Sequence, residues 1–230
     1  VACVEGSYNA NGTGACNTVG SGYMASTDGS TYASSGATEQ VECTAGTYQD
    51  GGAGACQNCL AGEWSDSGAG SCSGCGTGYT TDNAGDGAGS SAQVACICDV
   101  GYGRASDATA CAQCSAGTYK GSTGDNTCAN AAAGKYTADA GGTQVNIEAT
   151  QEICCAEGHH APGSTAACTG ATEGNYAALA NGDETTTCAT QSQPCPAGKW
   201  SDNLAGGCND CGTGYTTDNA GDGAGSSAQV

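Results

Sequence analysis

Phenylalanine is absent from this chain of 230 residues, methionine occurs once, tryptophan twice and proline three times. Without large apolar side chains little area can leave water, and that area is worth only about 25 cal/mol per Å². Alanine and cysteine carry most of the apolar fraction and each buries little, whereas ordering the backbone costs about 1–2 kcal/mol per residue. A conventional hydrophobic core is therefore excluded. Positive charge is equally scarce: Arg104, Lys120, Lys135 and Lys199 stand against 23 acidic residues, a net charge of −19. That balance excludes nucleic-acid backbones and anionic membrane surfaces as partners, and favours solubility and mutual repulsion. No apolar run approaches the roughly 20 residues that a membrane span needs. No signal peptide is visible; the chain opens at Val1 on strand-like residues, as a mature or excised product would.

What is abundant is glycine, with 41 residues, and cysteine, with 19. Cysteine at this density marks a disulfide scaffold and an oxidising compartment, so the chain is expected to be secreted or to stand on the cell exterior. The cysteines are periodic. Twelve repeats share an opening residue, a glycine three positions later, and an aromatic residue one or two positions beyond that glycine. Short repeats open and close on cysteine: Cys3 with Cys16, Cys43 with Cys56, Cys59 with Cys72, Cys98 with Cys111, Cys114 with Cys128, Cys155 with Cys168, and Cys195 with Cys208. Longer repeats open at Val19, Cys75, Ala131, Ala171 and Cys211. The aromatic position holds Tyr8, Tyr23, Tyr48, Trp64, Tyr79, Tyr102, Tyr119, Tyr136, Tyr176, Trp200 and Tyr215, and once His160.

The long repeats contain their own statement of connectivity. Cys75 is closed in register by Cys96, while the equivalent pairs elsewhere are Val19 with Val41, Ala131 with Ile153, and Ala171 with Gln193. Cysteine is missing from both ends together, as bonded partners require, since losing one alone strands a thiol. A Cys75–Cys96 bond follows, and each short repeat is expected to be closed by its own terminal cysteines. Cys154 and Cys188 fit no repeat; they are left to each other, provided their Cα atoms approach within about 7 Å. Residues 211–230 are identical to residues 75–94, a recent duplication in which Cys211 has no partner left. The repeats fall into five blocks: 1–42, 43–97, 98–154, 155–194 and 195–230, the last a near-copy of 59–94.

Short β-bearing segments interrupted by Gly, Asn, Asp and Ser predict small β-hairpins. Units this small cannot bury a core alone and must lean on their neighbours. The expected fold is thus a small disulfide-rich array of β-hairpin repeats stacked into an elongated rod. Almost no helix is expected, and only residues 130–133 and 148–153 are compatible with one.

Residues 56–75 (CQNCLAGEWSDSGAGSCSGC) and 111–119 (CAQCSAGTY) resemble the ephrin-receptor-like cysteine-rich repeat. The stretch Cys96-Ile97-Cys98-Asp99-Val100-Gly101-Tyr102, running on to Cys111, looks like the C-terminal half of an EGF-like module. Similar arrays occur in protist surface coat antigens, which implies extracellular architecture for this chain.

Several residues are of types that carry chemistry. Cys56, Cys59, Cys72 and Cys75 have zinc-ribbon spacing, yet the register of the repeats explains them without a metal. A redox CxxC needs an electropositive setting that this chain does not offer. His159 and His160 could ligate a metal or act as a base, but His160 fills the aromatic position, which points to packing. Calcium is the one cofactor with a case, at Asp82, Asn83 and Asp86 and at Asp218, Asn219 and Asp222, although these loops lack the EF-hand spacing and solvated turns explain them. The aromatic row could grip a carbohydrate, but its spacing follows the structural repeat. Asn11-Gly12-Thr13 is an N-glycosylation sequon, and attached glycans are expected.

The monotony of the repeats marks no unique site. The expected function is that of an extracellular structural glycoprotein, a subunit or segment of a cell-surface fibril or coat, without catalytic residues, metal or cofactor. The competing expectation is a receptor-type module binding a protein or glycan. The partner expected for the structural role is another copy of the chain, joined head to tail into a filament. The chain begins and stops inside the repeat, and Cys211 is expected at a junction between subunits.

Overall fold

The computed structural model describes residues 2–81, 96–105 and 110–213. Two compact units are present, one formed by Val1–Asp99 with Thr123–Asp125 and the other by Val100–Ser122 with Asn126–Val230. Within each, the architecture is a succession of antiparallel β-hairpins, eleven two-stranded sheets among the described residues, each made of strands consecutive in sequence. Short repeats give strands of two residues, such as Ser7–Tyr8 on Asn17–Thr18 and Thr47–Tyr48 on Gln57–Asn58. Long repeats give longer strands, of four residues in Tyr23–Ser26 on Glu39–Glu42, Lys135–Ala138 on Gln151–Cys154 and Asn175–Ala178 on Gln191–Pro194, and of three in Tyr79–Thr81 on Cys96–Cys98. The described residues contain no helix. Both segments compatible with one are therefore corrected: Ala129–Asn130 and Gln151–Cys154 are strands, because each pairs across its own hairpin. Pairing partners outweigh the weak local preference of a few residues.

The opening position points inward in ten of the twelve repeats, while Cys75 and Cys211 are half-buried. Cys3, Cys43, Cys59, Cys98, Cys114, Cys155 and Cys195 are buried, and Val19, Ala131 and Ala171 are buried where the disulfide is missing. The second inward position lies three residues after the repeat's glycine. It holds Asn9, Ala25, Gln49, Ser65, Thr81, Lys120, Thr137, Ala161, Ala177 and Ser201, all buried, and after Gly101 the half-buried Arg104. Most of these are polar and must be satisfied. Gln49 Nε2 donates to the carbonyls of Gly54 and Ala55, Asn9 Nδ2 to those of Gly14 and Ala15, Ser65 Oγ to Thr47, Thr137 Oγ1 to Val145 and Ser201 Oγ to Asn175. The interior is a string of small hydrogen-bonded sites beside disulfides.

Candidate functional site

The feature that recurs from repeat to repeat is the seam joining one hairpin to the next, and the repeat's glycine lies at its centre. Its carbonyl accepts the opening N–H of the following repeat: Val19 to Gly6, Cys43 to Gly22, Cys59 to Gly46, Cys114 to Gly101, Cys155 to Gly134 and Cys195 to Gly174, all at 2.8–3.0 Å. Its own N–H donates onward into the next repeat, Gly22 to Gln49, Gly46 to Ser65, Gly101 to Lys120, Gly134 to Ala161 and Gly174 to Ser201. Its φ is positive throughout, from +72° at Gly6 to +86° at Gly46.

A second position completes the seam. The N–H of Gly36 donates to the carbonyl of Cys3, Gly68 to Cys43, Gly124 to Cys98, Glu148 to Cys114, Ser164 to Ala131, Cys188 to Cys155 and Leu204 to Ala171. In each case the donor belongs to the repeat after the acceptor. All seven donors have positive φ, and they include every non-glycine residue found with positive φ: Glu148, Ser164, Cys188 and Leu204, at 51–62°. The carbonyl of the same residue reaches one repeat further back. A Cβ added to Gly101 would lie 2.6 Å from the Glu148 oxygen, and one added to Gly22, Gly117, Gly134 or Gly158 would lie closer still to Gly68, Ser164, Cys188 or Leu204. Ala53 takes this place against Gly6. One bridging residue thus ties three successive repeats, and the glycine is fixed both by its backbone conformation and by the carbonyl lying against it.

The structure bonds Cys3–Cys16, Cys43–Cys56, Cys59–Cys72, Cys75–Cys96, Cys114–Cys128, Cys155–Cys168 and Cys195–Cys208, with Cα separations of 5.6–5.8 Å. Cys98 and Cys111 are also disulfide-bonded. The sulfurs with zinc-ribbon spacing, Cys56, Cys59, Cys72 and Cys75, are consumed in three different bonds and offer no thiolate. Cys154–Cys188 is bonded at a Cα separation of 4.5 Å. Unlike the hairpin-closing bonds, it joins different repeats, since Cys154 precedes the opening Cys155 and Cys188 is a bridging residue. Cys211 is a free thiol of intermediate exposure whose N–H donates to Gly198.

Nearby carboxylates serve the turns. Asp28 Oδ1 accepts from the N–H groups of Ser30 and Thr31 and from the hydroxyls of Ser26 and Ser30. Those backbone donors hold its carboxyl far below the usual range. Asp139 Oδ1 accepts from Gly141 and Thr143 in the same manner. The Lys135 ammonium meets Glu152 at 2.6 Å, and this hydrogen bond raises the lysine. Burial opposes ionisation of Glu152, but Lys135 and the Ala132 N–H outweigh it and lower its pKa. The Tyr32 hydroxyl donates to the Glu5 carboxylate, which pushes the phenol up to about 12.

The other sequence candidates are dispersed. His159 Nδ1 lies 3.0 Å from the Glu157 carbonyl, and His160 Nδ1 is buried without a hydrogen-bond partner. The candidate calcium residues Asp82, Asn83 and Asp86, with Asp218, Asn219 and Asp222, lie outside the described residues, as does Tyr215. The aromatic row is mostly half-buried. Tyr8 and Tyr23 pack on Val19, Ala25 and Ala37, and Tyr176 packs on Cys195 and Cys208, so these rings cover the inward positions and a neighbour's disulfide. Asn11 is exposed at a hairpin tip. Two of the open clefts measure about 580 Å³, against Met24, Tyr32, Val41 and Glu42, and about 460 Å³, against Glu157, Glu184 and Thr185. Sequence reasoning missed the bridging position. Its signal was a residue nine places after a short repeat's opening (Gly68, Ser164, Leu204) or seventeen after a long one's (Gly36, Glu148, Cys188), obscured by its varied side chains.

Comparison with protein-family models and with curated proteins finds no match.

Proposed function

We propose that the chain is an extracellular structural protein, a subunit or segment of a cell-surface fibril or coat in which hairpin repeats stack into a rod and copies join head to tail. The observation that carries this reading is the seam. The same donors and acceptors recur from repeat to repeat, so repeats can be added along one direction without new chemistry. Disulfide density supports an oxidising exterior as its setting. The acidic surface keeps separate arrays from coalescing sideways. Electron microscopy of native material tests the proposal. A regular axial repeat along filaments or a coat is the expected result. Discrete, unassociated particles would overturn it and favour a free binding module for a protein or glycan.

A further inference from the structure

The hairpin closed by Cys3–Cys16 carries its turn at residues 9–14, and this turn separates two asparagines of opposite character. Asn9 is 6% exposed, and its side chain is spent on the carbonyls of Gly14 and Ala15 and on the Asn11 N–H. Asn11 is exposed and holds the turn through its backbone alone, its N–H 3.0 Å from Asn9 Oδ1. Its side-chain amide makes no hydrogen bond. Thr13 is exposed beside it, and no atom lies within 4 Å of the positions a Cβ would take on Gly12 or Gly14. The amide and the hydroxyl of the sequon therefore stand free in open space, on a turn that a bulky substituent would not disturb.

We propose that Asn11 is an N-glycosylation site, an inference that rests on the extracellular reading above. The donor is a lipid-pyrophosphate-linked oligosaccharide. Asn11 Nδ2 attacks C1 of the reducing-end sugar and loses a proton; the N-glycosidic bond forms, the C1–O bond breaks, and the lipid pyrophosphate leaves. Asn9 cannot serve, because its amide is buried and bonded and no hydroxyl residue follows at Asn11. The glycan projects from the hairpin tip, away from the inward positions, and so covers a glycine-rich turn without touching the seam.

The test is to express the full chain behind a secretion signal in animal cells, release glycans with a peptide N-glycosidase in ¹⁸O water, and map peptides without reduction. Conversion of Asn11 to ¹⁸O-labelled aspartate, abolished by Thr13→Ala with the disulfides intact, is the expected result. A secreted chain with its disulfides formed and Asn11 bare would overturn the inference alone. A chain retained in the cell with its cysteines reduced would overturn the extracellular reading and this inference with it.

Discussion

Replacing Gly158 by alanine should break one seam while leaving every disulfide in place. Gly158 has φ +72°, and a left-handed conformation costs an alanine about 1–2 kcal/mol. The new Cβ would also be driven into the Leu204 carbonyl, with even the Leu204 Cα only 2.9 Å away. Relieving such overpacking costs about 1–3 kcal/mol more, since backbone must move. Gly182 supplies the control: its φ is +88°, but nothing lies within 4 Å of its Cβ position. Gly182→Ala should therefore cost only the conformational term. Hydrogen exchange reads the difference locally, at the Leu204 N–H bonded to Ala171 and at the Ala171 N–H bonded to Gly158. In Gly158→Ala the two costs act at the same residue and total at least about 2 kcal/mol, so both amides should exchange about thirty times faster than in the parent or more, at about 1.4 kcal/mol per tenfold. Gly182→Ala should leave them unchanged. Equal protection of these amides in the two variants would refute the three-repeat seam.

The bridging position predicts the opposite sign. Ser164 is exposed at φ +51° with no side-chain hydrogen bond, so Ser164→Gly should raise stability by about 0.5–1 kcal/mol in urea titration, the relieved strain exceeding the added unfolded-state entropy. No gain, or a loss, would mean that the backbone is not strained there. Tyr32 predicts a pH effect. Its folded pKa of about 12 lies above its ordinary 10.0, so its contribution is complete below pH 10 and is lost as pH rises through 12. Ultraviolet titration should show a late-ionising tyrosine that is absent from Tyr32→Phe and shifts earlier in Glu5→Gln.

Much of this fold was legible because the cysteine register is covalent. Joint loss of cysteine from Val19 with Val41 and from Ala131 with Ile153 leads to the Cys75–Cys96 bond that the structure contains. The aromatic position was legible as a periodic one. The seam was not, because backbone atoms make it: Glu148, Ser164, Cys188 and Leu204 share a φ and two contacts but no side-chain chemistry. Cys188 fitted no repeat for the same reason, although it occupies the bridging place of its own. The polar interior at Gln49, Thr137 and Ser201 was hidden because turn composition and inward-facing composition coincide in so small a hairpin.

The central claim is that disulfides and the backbone seam, rather than an apolar core or a metal, hold these hairpins. Near-ultraviolet circular dichroism and amide exchange, followed in parallel samples treated with a dithiol reductant and with EDTA, test it most directly. Closing a hairpin of this size by a disulfide is worth about 3 kcal/mol. Full reduction should therefore abolish tertiary signal and amide protection together, while the chelated sample stays as it was. Protection that survives complete reduction, or is lost to EDTA alone, would contradict the account.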